Sequence, residues 1–159
     1  MIITVQHLVG LDACQQQVQR FQEIFPDGAA ITDANLESAL AARLDVVWLL
    51  QTSAEAGRPL PYSGSFVNDA GTRHWYRDGQ LHREDGPAIE CASGSRLWYR
   101  NGQLHREDDP AVEYADGTRL WYRDGRLHHE DGPAIEYADG TREWWQDDWR
   151  HREDGPAIE

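Results

Sequence analysis

Apolar and aromatic positions recur at a fixed interval in the last ninety residues of this chain. Four near-copies of one 23-residue pattern begin at Gly71, Gly94, Gly117 and Gly140. A fixed period this short predicts a stacked array, in which each copy buries its apolar side against its neighbours. Such an array favours a binding surface over an active site.

At the junction of the second and third copies, two β-rich runs flank Asp116-Gly117, which is a strong signal for a two-residue hairpin loop with positive φ at both positions. This loop would place Val112 opposite Trp121 on one side of the hairpin. We predict that this side forms the core. The indoles that would stack along it are Trp75, Trp98, Trp121 and Trp144.

The rest of each copy contains a second turn signal, Asn101-Gly102 in the second copy, followed by LHRED. Near-identical copies meet equivalent surroundings most simply when each adds an even number of strands to an antiparallel sheet. We therefore predict two main strands per copy, with LHRED as an arm folded over one edge. The side chains that would anchor this arm in the core are Leu81, Leu104, Leu127 and Trp149.

Residues 1–52 have helical rather than strand-like periodicity. Asp12 and Gln15 match a capping box, a second helix start is expected at Thr32 or Asp33, and Asp45 is placed to cap a third helix. Residues 53–63 are rich in Pro, Gly, Ser and Ala and are predicted to be a linker or an extended arm. The predicted organisation is a helical head (1–52), this linker, and a repeat array (64–159), and the fold class is α+β.

The segments WYRNGQLHRE and EYADGTRLWYR resemble the MORN repeats and their bacterial relatives of the YwqK antitoxin-like type. The resemblance covers residues 64–159 and implies β-hairpins stacked into an elongated single-layer antiparallel sheet. It also implies a role as a protein-binding platform, a scaffold or, in some members, a lipid contact. HREDGPA replaces the usual glycine-rich step. The head is similar to the openings of small phage proteins.

The net charge is −13, and all 15 basic residues are Arg. Because Arg stacks on aromatic rings and forms forked ion pairs, we expect guanidinium groups over Trp and Tyr or paired with carboxylates. The negative charge argues against binding to nucleic acid or to anionic membranes, and it permits a basic protein partner. Cys14 and Cys91 are expected to be free thiols. Without a secretory signal or a membrane-spanning run, the expected location is cytoplasmic.

One histidine recurs in each copy, followed by Arg or His and then by Glu-Asp. These residues suit either a ladder of metal sites or, as we favour, a structural arm in which Arg pairs with Glu and Asp caps the turn. No nucleophile elbow, phosphate-binding loop or zinc-protease motif is present. We expect no enzymatic activity, no metal and no cofactor. The histidines are His82, His105, His128 and His151.

A second side of the predicted sheet combines aromatic rings with carboxylates, which suits the binding of a basic partner. The alternative is that the arms or a second subunit cover this side. The residues that would form it are Tyr76, Tyr99, Tyr122, Trp145, Glu90, Glu113 and Glu136. The fourth copy diverges and gains Trp149, which either caps the array or lies in the seam of a homodimer formed through this edge.

These features predict a non-enzymatic phage or bacterial inhibitor of the anti-CRISPR or anti-restriction type. It would mimic nucleic acid and occupy the basic surface of a host-defence protein. Strands about 4.8 Å apart give roughly 10 Å per two-stranded copy, which spans about three phosphates of a DNA strand. The alternatives are a self-assembling MORN-like scaffold and an antitoxin-type partner-binding protein. An enzyme or metal protein using the histidines, or a carbohydrate-binding module, is less favoured.

Overall fold

A computed structural model describes residues 2–4, 6, 8, 13–30, 32, 35, 38–40, 44–55 and 60–159. The chain forms two compact units. The first comprises Met1–Ala70 with Tyr76–Gln80, and the second comprises Gly71–Trp75 with Leu81–Glu159. A helix-containing region followed by a long antiparallel sheet confirms the α+β class.

The elements of the first unit whose bounds lie within the described residues include the helices α1 (Gln15–Ile24) and α2 (Val46–Glu55) and a short antiparallel pair, β1 (Ile2–Ile3) and β2 (Ala29–Ala30). Asp45 caps α2 as predicted, because its Oδ1 accepts a hydrogen bond from the Trp48 backbone N–H at 2.8 Å. The apolar side chains of Phe21, Val46 and Leu50 are buried. The sequence pattern did not predict the β1–β2 pair.

The other two expected helix starts have different outcomes. Asp12 and Asp33 lie outside the described residues. Cys14 occupies the N-cap of α1 and makes no side-chain capping bond. Thr32 Oγ1 accepts a hydrogen bond from the Asn35 backbone N–H at 3.3 Å, which is the contact expected of a helix-capping threonine.

Part of the segment interpreted as a linker, residues 53–63, belongs to the folded structure of the first unit. Helix α2 continues to Glu55, and residues 56–59 lie outside the described part of the chain. Leu60 and Tyr62 are buried, and the Tyr62 carbonyl accepts a hydrogen bond from the Gly79 backbone N–H at 2.8 Å. Residues 60–62 therefore pack within the first unit, because two apolar side chains among the Pro, Gly and Ser residues enter its core.

Fifteen further strands follow the head. The long sheet runs in the order β3, β4, β6, β7, β10, β11, β14, β15, with β5 paired to β4. Each internal copy gives it two strands, β7 and β10 or β11 and β14, which confirms the prediction of two main strands per copy. The strands are β3 (Gly64–Val67), β4 (Arg73–Arg77), β5 (Gln80–Leu81), β6 (Ile89–Glu90), β7 (Arg96–Leu97), β8 (Tyr99–Arg100), β9 (Gln103–Leu104), β10 (Val112–Glu113), β11 (Arg119–Leu120), β12 (Tyr122–Arg123), β13 (Arg126–Leu127), β14 (Ile135–Glu136), β15 (Arg142–Glu143), β16 (Trp145–Gln146) and β17 (Trp149–Arg150).

The register of the first hairpin differs from the prediction by one residue. Val112 lies opposite Leu120 rather than Trp121. The Thr118 N–H bonds to Asp116 Oδ1 at 2.8 Å, and only Gly117 of the Asp-Gly pair has positive φ, at 95°. The side chain of Asp116 thus stabilises a longer loop that ends in a left-handed glycine, which is the common three-residue alternative.

The two-residue loop with positive φ at both positions occurs in a second hairpin of each copy. Asn101 and Gly102 have φ of 51° and 78°, and they join β8 to β9, where Tyr99 lies opposite Leu104. The LHRED segment therefore begins as a strand, in a two-stranded ladder separate from the long sheet. The remaining segment forms a bend rather than a free arm.

Second hairpins of consecutive copies also bond to each other through the backbone. The Gly102 N–H donates to the Leu81 carbonyl at 2.9 Å, and the Gly125 N–H donates to the Leu104 carbonyl at 2.9 Å. The Asp148 N–H donates to the Leu127 carbonyl at 3.1 Å. Each copy in this series is thus joined to the next both in the long sheet and along the second hairpins.

The core of the second unit is built on small and β-branched side chains. Ala88, Ala111 and Ala134 are completely buried, and Val112 is 2% exposed. The prediction of an enclosed indole column is wrong, because all four tryptophans are only half-buried. Because of the shift in register, Leu120 rather than Trp121 lies opposite the buried Val112. The indoles therefore lie nearer the surface than predicted.

The four predicted arm anchors differ in burial. Leu81 is buried and Leu104 and Leu127 are half-buried, whereas Trp149 is 78% exposed. Within the described residues, no helix is both long and apolar enough to cross a bilayer.

Candidate interaction surface: the acidic turns

Each copy carries two adjacent carboxylates in the bend that follows its second hairpin. All eight side chains are exposed. We call these four segments the acidic turns. They are Glu84-Asp85, Glu107-Asp108, Glu130-Asp131 and Glu153-Asp154.

An arginine at the start of the bend fixes the acidic turn of the second copy to the sheet. The guanidinium carbon of Arg106 lies 4.1 Å from the centroid of the Trp98 ring. Arg106 Nη1 donates to the Pro110 carbonyl at 3.2 Å and lies 3.4 Å from Glu113 Oε1. One cation thus joins the strand before the bend to the strand after it, and we call this arrangement the arginine clasp.

The arginine clasp recurs in the first and fourth copies with the same partners. The contacts of Arg83 are the Trp75 centroid at 4.0 Å, the Pro87 carbonyl at 3.1 Å and Glu90 Oε1 at 3.2 Å. Those of Arg152 are the Trp144 centroid at 3.8 Å, the Pro156 carbonyl at 3.0 Å and Glu159 Oε1 at 2.6 Å. These contacts confirm the expectation that guanidinium groups stack on indoles and pair with carboxylates.

A histidine replaces the clasp arginine in the third copy. His129 stacks parallel to Trp121 with ring centroids 5.1 Å apart, and its Nδ1 lies 2.8 Å from the Pro133 carbonyl as a donor. The histidine side chain is shorter than arginine, and it preserves the stacking on the indole and the contact with the proline carbonyl. Glu136 pairs instead with Arg119 at 3.8 Å and Arg142 at 3.7 Å.

The position after the acidic turn is adapted to the clasp. A Cβ at Gly86 would lie 3.0 Å from Arg83 Cζ, and one at Gly132 would lie 2.9 Å from His129 Cε1. The second copy has Asp109 here, and this carboxylate pairs with Arg106 Nη2 at 2.9 Å. The bend therefore accepts either no side chain or one that binds the clasp.

The carboxylates differ in how far arginine neutralises them. The strand residues Glu90, Glu113 and Glu136 each pair with at least one arginine. By contrast, the second carboxylate of every acidic turn makes no ion pair with any residue that the structure describes; these are Asp85, Asp108, Asp131 and Asp154. The negative charge available to a partner thus lies on the turns rather than on the strands.

The four aromatic residues expected on a binding side are not equally accessible. Tyr76 is 4% exposed and stacks on Phe66 at 5.8 Å inside the first unit. Trp145 is half-buried, and its Nε1 donates to Glu143 Oε2 at 2.9 Å. The structure thus removes Tyr76 from any accessible surface and leaves Trp145 partly accessible.

Tyr99 and Tyr122 are also half-buried. Burial raises the pKa of both phenols above the ordinary value, and the nearby Tyr114 phenol raises it further. These three tyrosines therefore lie close together in the second unit. Tyr114 is largely exposed, a position that the sequence did not single out.

Three of the four recurring histidines contact the next copy of the array. His82 Nδ1 lies 3.0 Å from Asn101 Oδ1, His105 Nδ1 lies 2.9 Å from Asp124 Oδ1, and His128 Nδ1 lies 3.1 Å from Asp147 Oδ1. The described residues contain no group of three or more His, Cys, Asp or Glu side chains arranged to hold a metal ion. The sequence signal for this contact is a constant 19-residue spacing between histidine and turn residue.

No protein-family model matches the chain. No curated protein has significant sequence similarity to it.

Proposed function

We propose that this protein is a non-enzymatic, acidic protein-binding module that occupies a basic surface of another protein. One observation carries the proposal: four exposed acidic turns recur along one sheet, and the second carboxylate of each has no cationic partner among the described residues. Arginine clasps in the first, second and fourth copies, and His129 in the third, hold these turns against the strands, so the charges are positioned before a partner binds.

The proposed partner is a protein that binds nucleic acid, and the proposed class is an inhibitor of phage or bacterial origin of the anti-CRISPR or anti-restriction type. Two strands per copy extend the sheet by about 10 Å, which is about the length of DNA strand that carries three phosphates. A net charge of −13 supports nucleic-acid mimicry and disfavours direct binding to nucleic acid or to anionic lipid. We further propose that residues 64–159 are a MORN-like array of 23-residue repeats.

A nuclease-inhibition experiment tests this proposal. Plasmid cleavage by a panel of purified restriction and Cas nucleases is measured with increasing amounts of the protein. We expect inhibition of at least one nuclease, and inhibition that weakens as salt rises. Changing Asp85, Asp108, Asp131 and Asp154 together to Asn should raise the half-inhibitory concentration at least about tenfold, since each lost rim charge slows association.

The matched control is the triple variant Glu90→Gln, Glu113→Gln and Glu136→Gln. It removes nearly as much charge, but from carboxylates that already pair with arginine. We expect it to inhibit more strongly than the Asp variant. Equal inhibition by wild type and the Asp variant, or indifference to salt, would refute the acidic-surface proposal.

A self-assembling scaffold is the second candidate, and the exposed Trp149 favours it. A large aromatic side chain in an unusually exposed position is typical of an association surface. An antitoxin-type partner-binding protein would use the acidic turns in the same way, with a toxin as the basic partner. The nuclease panel separates that case, because an antitoxin would leave every nuclease active.

A further inference from the structure

The fourth copy has a carboxylate, an indole and a guanidinium at three positions where the second and third copies have leucine, tyrosine and leucine. These residues are Glu143, Trp145 and Arg150. The corresponding residues are Leu97, Tyr99 and Leu104 in the second copy and Leu120, Tyr122 and Leu127 in the third. A charged group in place of a leucine is costly to bury unless it is paired, and here two opposite charges replace two leucines together. The three exchanges therefore form one group.

The carboxylate of Glu143 lies at the centre of this group and is 9% exposed. Its Oε1 accepts a hydrogen bond from the Tyr137 phenol at 3.2 Å, and its Oε2 accepts one from the Trp145 indole Nε1–H at 2.9 Å. Burial raises the pKa of the Tyr137 phenol above its ordinary value of 10.0, and the charge of Glu143 raises it further, so the phenol remains a donor. Two neutral donors on aromatic rings thus orient the carboxylate and leave its negative charge for a cation.

Arg150 supplies a cation to this carboxylate, but it does so at long distances. Its Nη2 lies 3.5 Å from Glu143 Oε2, and its guanidinium carbon lies 5.0 Å from the centroid of the Trp145 ring. In the three arginine clasps the guanidinium-to-ring distances are 3.8–4.1 Å and the ion pairs are 2.6–3.4 Å. Arg150 therefore makes the same two kinds of contact as a clasp arginine, and makes both of them less closely.

The two aromatic rings of this group can be reached from solvent. Tyr137 is 39% exposed and Trp145 is half-buried, while the Arg150 side chain that covers them is itself 53% exposed. An exposed ion pair contributes little to stability, because solvent screens it and a long side chain has to be held in one conformation. Arg150 can therefore move aside at small cost, and its movement uncovers an indole face beside a buried carboxylate.

We propose that Tyr137, Glu143 and Trp145 form a receptor for an arginine side chain of a partner protein, which Arg150 occupies while no partner is bound. A planar guanidinium can stack on the indole and pair with the carboxylate at the same time, whereas an ammonium group cannot do both. The inference rests on the proposed function, since it names the element by which a basic partner is held. The acidic turns attract the partner, and the receptor anchors one of its arginines.

A small probe tests the receptor without any partner protein. The full chain is titrated with N-acetyl-L-arginine amide while the indole N–H signals of its seven tryptophans are followed by NMR. Trp145→Tyr, which places here the residue type of the second and third copies, identifies the Trp145 signal. The matched probe is N-acetyl-L-citrulline amide, whose urea group has the same shape and no charge. We expect the arginine probe to bind at least about tenfold more tightly than the citrulline probe.

Two variants separate a receptor from a structural ion pair. Arg150→Leu gives the fourth copy the leucine that the other three copies have at this position, and it removes the internal occupant. The arginine probe should then bind at least about fivefold more tightly than to wild type, because the site no longer has to be vacated first. Glu143→Gln keeps the length of the side chain and one acceptor oxygen but removes the charge. It should abolish the preference for arginine over citrulline.

The receptor is overturned if the Trp145 signal responds equally to the two probes, or if Arg150→Leu binds the arginine probe no more tightly than wild type. Either result assigns Arg150 and Glu143 to a structural ion pair. If Arg150→Leu loses the signals of the folded array, Arg150→Gln gives the same comparison. The nuclease panel is a separate measurement: selective probe binding supports the receptor even where every nuclease stays active, and that combination overturns only the proposed class of partner.

Discussion

The guanidinium carbon of Arg106 lies 4.1 Å above the indole of Trp98 while the same side chain donates to the Pro110 carbonyl at 3.2 Å. This relationship joins two strands that flank an acidic turn. It also gives a physical reason for a composition with 15 Arg and no Lys, because a planar fork can stack and donate at once. A compact ammonium group would give up one of these contacts to make the other.

Replacing the clasp arginine should destabilise the second unit. We expect Arg106→Ala to lower the free energy of unfolding by about 2 kcal/mol, because it removes the stacking on Trp98 and a charge-assisted bond. Arg106→Lys should retain part of this stability, since the charge remains without the fork. Urea unfolding of the full chain, followed by tryptophan fluorescence, measures both changes.

Arg96 provides the matched control, since it pairs with the same carboxylate, Glu113, but at 3.9 Å and with a side chain that is 57% exposed against 27% for Arg106. An exposed pair of this kind contributes about 0–1 kcal/mol. Arg96→Ala should therefore have a small effect. Equal losses for the two alanine variants would contradict the role assigned to the clasp.

Two glycines with nearly equal backbone conformations should respond differently to the same substitution. Gly79 and Gly125 have φ of 75° and 79°. The atoms nearest to a Cβ at Gly125 would be those of the flexible Gln103 side chain, at 3.6 Å, whereas a Cβ at Gly79 would overlap the Leu60 backbone carbonyl. Gly125→Ala should cost about 1–2 kcal/mol through backbone strain alone.

Gly79→Ala should cost clearly more than Gly125→Ala, because the buried Leu60 backbone has to move. Thermal unfolding of the two variants side by side measures the difference. Similar melting temperatures would show that residues 60–62 do not approach the turn closely, and they would restore the linker interpretation of that segment.

Alkaline pH should weaken the second unit through its partly buried phenols. Burial raises the pKa of Tyr99 above its ordinary value of 10.0, and the Tyr114 and Tyr122 phenols add to the shift. The folded protein thus retains a proton that the unfolded chain releases near pH 10. Stability from this source is complete below that value and decreases as pH rises through the higher pKa of the folded state.

The double variant Tyr99→Phe and Tyr122→Phe tests that sign, because both phenols have a raised pKa. Urea midpoints measured at pH 9, 10 and 11 should decline less steeply for the variant than for wild type. Absorbance at 295 nm follows phenolate formation in the same samples. An equally steep decline would assign the alkaline sensitivity to other groups.

The sequence predicted the α+β class, two strands per copy in the long sheet and the Asp45 cap, because each rests on a local or periodic signal. It failed at the register of the first hairpin. Asp-Gly is compatible with both a two-residue and a three-residue loop, and the Asp116 side chain selects the longer one by bonding to Thr118. A shift of one residue then changes which side chain lies opposite Val112.

The candidate surface was only partly predictable for a similar reason. The sequence identified arginine–carboxylate pairing, but it assigned the binding charge to Glu90, Glu113 and Glu136, whose neutralisation depends on contacts between strands. The contacts of His82, His105 and His128 with the next copy also join residues that are distant in sequence. A spacing of 19 residues carries no meaning until the stacking of the second hairpins is known.

Trp149 supplies the test between a monomeric binding module and a self-assembling scaffold. It lies at the repeat position of the polar residues Gln80, Gln103 and Arg126, and its large apolar side chain is 78% exposed in β17. If this side chain lies in a seam between two copies, analytical ultracentrifugation should detect dimers whose dissociation constant rises at least tenfold in Trp149→Ser, since buried aromatic anchors contribute about 2 kcal/mol or more to an interface. Val67→Ser, which removes an exposed apolar side chain from β3, should leave the dimer unchanged. A wild-type protein that stays monomeric at high concentration would eliminate the scaffold and leave the exposed indole available to a different protein.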